Sequence, residues 1–85
     1  MKKINEKEIN NKILKSLKNT FPRTNIPKNF TNLKIGDLKK WDSLGNYNLL
    51  LDIEKNFSIR FKSTDLIKIT SINQIITYLK VKKIL

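Results

Sequence analysis

The chain has neither cysteine nor histidine. That removes disulfides, thiol nucleophiles, Cys/His zinc sites and imidazole acid–base chemistry in one step. A hydrolase built on any of its serines would lack the usual base, so no catalytic residue and no metal site is expected. Glycine and proline number two each, and both prolines fall with Gly36 between Phe21 and Lys40. Acidic residues are scarce as well: seven Asp and Glu face eighteen Lys and Arg, for a net charge of +11. Long hydrophobic runs are also missing. Glu6, Lys7 and Glu8 interrupt the start before a signal peptide's apolar region could form, and no stretch approaches a membrane span. The expected location is the cytoplasm.

What is present is one small domain's worth of sequence. Eighty-five residues bury only about 60–65% of their unfolded surface, so a single thin core over 1–85 is expected. Ile9, Ile13, Leu14 and Leu17 fall on one stripe and predict an amphipathic first helix over about 4–19. Pro22 ends it. From Phe21 to Lys40 no periodicity survives, which predicts one long connection held to the core by Phe30, Leu33, Ile35 and Leu38. A second helix follows over about 43–56 with Asp42 as its N-cap, then a short third over about 64–69 capped by Ser63 or Thr64. Ser71 to Gln74 has capping-box spacing, and Ile72, Ile75, Ile76 and Leu79 give the apolar face of a fourth helix over about 71–82. The fold class is all-α: a small four-helix bundle of three main helices and one short one, with a long first loop.

The second helix carries two apolar groups. Asn46, Leu49, Leu50, Ile53 and Phe57 share one arc, wide enough for a core face. Leu44, Tyr47 and Leu51 form a second stripe roughly opposite. In so small a bundle that stripe is either covered by the long loop or left exposed to another protein. Most of the positive charge lies in residues 1–40, whereas no basic residue occurs between Lys40 and Lys55.

Trp41-Asp42-Ser43-Leu44-Gly45 places a serine between an acid and a leucine where this helix begins. The arrangement resembles the prosthetic-group attachment site of acyl carrier proteins. Without a gap, Trp41 to Leu79 follows that family's Asp-Ser-Leu helix, its Glu-x-x-Phe end at Glu54 and Phe57, Phe61, Ile69-Thr70-Ser71-Ile72 and Tyr78-Leu79. The resemblance covers nearly half of the chain.

It implies a non-catalytic carrier whose Ser43 holds 4′-phosphopantetheine, donated from coenzyme A by a phosphopantetheinyl transferase. An acyl- or aminoacyl-loading ligase and a downstream transferase or synthase would be its other partners, in lipid, glycan-modification or secondary biosynthesis. Asp42, Leu44, Tyr47, Leu51, Asp52 and Glu54 would then serve docking, and Gly45 would leave space beside the attachment point. Phe57, Phe61, Leu66 and Ile72 would line any cargo cavity. A phosphodiester on Ser43 would sit at the positive end of the helix dipole. The chain departs from the strongly acidic carriers of bacterial fatty-acid synthesis, because Gly45, Asn46, Asn48, Lys55 and Asn56 dilute the acids of this helix. The Ser-Leu-Gly start and Trp41 look more like dedicated carriers of secondary pathways or D-alanyl carriers. The carrier is expected to be a monomer that binds no nucleic acid.

The alternative is a small basic helical module binding nucleic acid or acidic protein through its Lys-rich first helix and Lys80, Lys82 and Lys83. Against it, Lys2, Lys3, Lys7, Lys12, Lys15 and Lys18 scatter around the helix without a recognition motif.

Overall fold

The computed structural model describes residues 5–82. Asn5 starts the first helix, α1 (Glu6–Thr20), by accepting the Glu8 amide at 2.8 Å, and Glu6 and Glu8 place negative charge at its positive end. Ile9, Ile13 and Leu17 are fully buried along one face, while Leu14 is only half-buried. The helix ends at Phe21, one residue before Pro22. The expected first residue of this helix, 4, and the basic residues Lys2, Lys3 and Lys83 lie outside the described residues.

The connection contains a single 3-10 turn, Phe30–Asn32, which periodicity did not reveal. Leu38 is buried, and Ile26, Phe30, Leu33 and Ile35 pack against the core, so apolar side chains hold the loop as expected. It is also held by backbone. The Ile35 N–H donates to the Thr70 carbonyl at 2.7 Å and the Ile72 N–H to the Leu33 carbonyl at 3.0 Å, around an antiparallel bridge between Lys34 and Ser71.

The second helix, α2 (Ser43–Phe57), buries Asn46, Leu49, Leu50, Ile53 and Phe57, the arc expected to face the core. It packs along α1, and a polar seam fixes the pair. Asn56 Nδ2 donates to the buried Ser16 Oγ at 2.6 Å, and Lys12 Nζ donates to the Asn56 carbonyl at 3.3 Å. Ser58 closes α2 in the left-handed region, φ +54°.

The short helix α3 (Ser63–Lys68) follows. Neither Ser63 nor Thr64 caps it: the N-cap is Lys62, whose side chain only donates. The end is closed instead by the Lys62 N–H, which donates to Asp65 Oδ2 at 3.2 Å. The fourth helix, α4 (Ile72–Val81), has Ser71 as N-cap, its Oγ accepting the Gln74 amide at 3.1 Å. The reciprocal half of the box is shifted by one residue, since Gln74 Oε1 accepts the Thr70 N–H at 2.8 Å. The architecture is the all-α bundle of three main helices and one short helix expected from the sequence. No helix among the described residues is long and apolar enough to cross a membrane.

Candidate functional site

Ser43 is the first residue of α2 and is exposed. The residue that caps the helix is its neighbour: Asp42 Oδ1 accepts the Gly45 amide at 2.8 Å. The ordinary reason for a serine at a helix start, capping, is therefore already met by another side chain. Its hydroxyl is left on the surface at the first turn.

The turn is held rigidly from beneath. Trp41, 1% exposed, donates its indole N–H to Asn46 Oδ1 at 2.9 Å, and Asn46 Nδ2 donates to the Ile69 carbonyl at 2.8 Å. The start of α2 is thereby tied both to the loop and to the end of α3. The Trp41 ring lies 5.9 Å from that of Phe21. Asn46 was legible as part of the buried arc but not as this relay. The signal was a lone amide on an otherwise apolar face, which burial tolerates only with partners.

Gly45 has a use of its own within the chain. A Cβ at this position would collide with the Lys40 carbonyl oxygen and come within 3.1 Å of the Phe21 ring. The space that the resemblance assigns to the attached group is, in the direction of a side chain, filled by the loop itself.

Leu44, Tyr47 and Leu51 are 68%, 45% and 39% exposed. The long loop does not cover them, and they make an apolar stripe beginning beside Ser43. The acids of this face are partly committed. Asp42 makes the cap, Asp52 accepts from Asn56 Nδ2 at 3.2 Å, and Glu54 Oε2 accepts the Phe61 N–H at 2.6 Å. Glu54 thus locks the turn after α2, a structural role not visible from its position on the helix.

The face is also less anionic in space than along the chain. A groove of about 400 Å³ beside the serine brings Arg23 and Lys40 next to Asp42 and Leu44. A shallower one places Lys55 near Leu51 and Asp52. Arg23 was not singled out in the sequence, because its approach to α2 depends on the turn after α1.

Of the residues expected to line a cargo cavity, Phe57, Phe61 and Ile72 are buried in the core and Leu66 packs against it. A separate open groove of about 550 Å³ runs between α3 and α4, with Asp65, Ile69, Tyr78 and Val81 in its walls. Tyr78 donates its hydroxyl proton to the Arg60 carbonyl at 3.2 Å. Burial, with the nearby carboxylates of Asp65 and Glu54, pushes its ionisation above the usual tyrosine value.

No family model matches the chain, and neither a curated protein nor a solved structure matches it.

Proposed function

We propose that this chain is a carrier protein of the acyl-carrier type, loaded on Ser43 with 4′-phosphopantetheine. The observation that carries the reading is the turn around Ser43. An exposed hydroxyl stands at the start of α2, released from capping by Asp42, beside an uncovered apolar stripe of Leu44, Tyr47 and Leu51. Asp42, Gly45, Trp41 and Asn46 hold this turn in place, and the stripe offers apolar surface to a partner enzyme.

In loading, Ser43 Oγ forms a bond to the phosphorus that bears the pantetheine arm of coenzyme A. The bond to the nucleotide breaks, 3′,5′-ADP leaves, and the serine proton passes to a base of the transferase. The bound group would supply the thiol that this cysteine-free chain lacks, carrying acyl or aminoacyl cargo as a thioester. The chain's own part is to present the serine and the docking stripe, with Leu44 nearest the attachment point and Asp52 and Glu54 farther along α2.

Intact mass after incubation with a broad-specificity phosphopantetheinyl transferase and coenzyme A tests the reading. The parent should gain one phosphopantetheinyl group and Ser43→Ala none. An unmodified parent overturns it.

One observation favours the basic-module reading instead. Among the described residues the single ion pair is Lys34 with Asp37 at 3.3 Å, which leaves most cations without an internal counter-charge. Salt-sensitive binding of a short DNA duplex by an unmodifiable chain would support that reading.

A further inference from the structure

The groove beside Ser43 gathers cationic, apolar and amide groups, the kinds of contact that the arm this serine would carry can use. It lies between the turn after α1 and the first turn of α2, and is bordered by Asp42, Leu44 and Gly45, the residues on either side of the attachment point. Two cations, Arg23 and Lys40, line it against one carboxylate, Asp42, whose Oδ1 is already taken by the Gly45 amide. The balance is one positive charge, which complements the single negative charge of a phosphodiester. Pro22 and Leu44 supply exposed apolar wall over the buried Phe21, and Asn48 supplies an amide. A phosphopantetheine arm presents a phosphate, a geminal dimethyl carbon and two amides.

We infer that this groove is the resting place of the phosphopantetheine arm, with Arg23 and Lys40 at its phosphate and Pro22 and Leu44 against its geminal methyls. The inference rests on the proposed loading of Ser43 and goes beyond it by giving the arm a seat on the α1 side of α2. The competing seat is the larger groove between α3 and α4, where Ile69 and Tyr78 form part of the wall. That groove has the same charge balance, Lys62 and Lys82 against Asp65, but it does not border the residues next to Ser43. With the arm in the nearer groove, Arg23 and Lys40 hold it close to the body of the carrier until a partner docked on Leu44 and Tyr47 draws it out.

The test uses isotope-labelled protein loaded with an unlabelled arm, with intact mass recorded first. Nuclear Overhauser contacts from the geminal methyls should reach the Pro22 ring and the Leu44 methyls, and the amides of Phe21, Arg23 and Lys40 should shift relative to the unloaded chain. In Arg23→Glu/Lys40→Glu, both exposed positions, those shifts should fall by more than half while circular dichroism stays unchanged. A loaded protein whose arm contacts Ile69 and Tyr78, or whose shifts are confined to residues 42–45, overturns the groove assignment and leaves the carrier reading standing. A parent that never gains the arm overturns both, and mass alone distinguishes that case.

Discussion

The indole N–H of Trp41 and the side-chain carbonyl of Asn46 are hydrogen-bonded at 2.9 Å inside the core, and the same amide passes a second bond to the Ile69 carbonyl at 2.8 Å. Three segments meet through one side chain. Replacing Asn46 by Leu leaves a buried donor and a buried acceptor unpaired, each at a cost of about 1–3 kcal/mol. Urea unfolding followed by far-ultraviolet circular dichroism should show a lower midpoint with an unchanged slope. Adding Trp41→Phe removes one of the orphaned groups, so the double variant should lose less than the sum of the two single losses. Full additivity would show that the two side chains do not depend on each other.

The two glycines predict opposite kinds of damage. At Gly45 the obstacle is steric, since an added Cβ meets the Lys40 carbonyl oxygen. Overpacking of this sort costs about 1–3 kcal/mol. At Gly36 there is open space, but φ is +94°, so Ala is penalised by backbone conformation alone. Gly45→Ala should therefore shift resonances around Phe21, whereas at Gly36, whose N–H donates to the Trp41 carbonyl at 2.8 Å, Ala should leave those of Phe21 in place while lowering stability. The same disturbance in both variants would contradict this division.

At the start of α2 the serine and its neighbour separate stability from modification. Ser43→Ala removes no cap and should unfold at the parent's temperature while losing the phosphopantetheinyl group. Asp42→Ala removes the cap and should cost about 0.5–2 kcal/mol. Thermal melts of both variants check this, and a large loss in Ser43→Ala would mean that its hydroxyl supports the fold.

Asp37 gives a pH dependence of known sign. The bond its carboxylate accepts from the Lys34 backbone N–H, aided by the Lys34 ammonium, holds its ionisation below the ordinary carboxylate value. A depressed folded-state value stabilises the fold above the unfolded value, and that contribution is lost as pH falls through the folded one. The stability gap between parent and Asp37→Asn should thus be widest near neutrality and narrow in acid. A gap that is constant from neutral pH into the acid range would contradict it. Direct titration of the Asp37 carboxyl carbon gives the midpoint.

Helix faces were the most legible part of this fold. The apolar arc of α2 is buried and its second stripe exposed, because the period of a helix alone decides which side chains can share a partner. The features read incorrectly or missed depend on groups distant along the chain. Residue preference points to Ser63 or Thr64 as the cap of α3, yet the turn is closed by a backbone N–H and Asp65. The grouping of Arg23 and Lys40 beside Ser43 arises where the loop returns to α2, which no local pattern encodes. The candidate serine itself stood out from its immediate neighbours. Its release from capping emerged only from the geometry of Asp42.

The bridge between Lys34 and Ser71 also bears on how the molecule opens. An α-helix cannot pair its own first amide groups, and at the start of α4 the Ile72 N–H is satisfied by the loop carbonyl of Leu33, while Thr70 just ahead of that helix holds the Ile35 amide. Loop and helix end therefore complete each other's backbone. They should exchange hydrogen with solvent as one cooperative unit, with Ile35 and Ile72 losing protection together, because neither amide can be freed without undoing the clasp that protects the other.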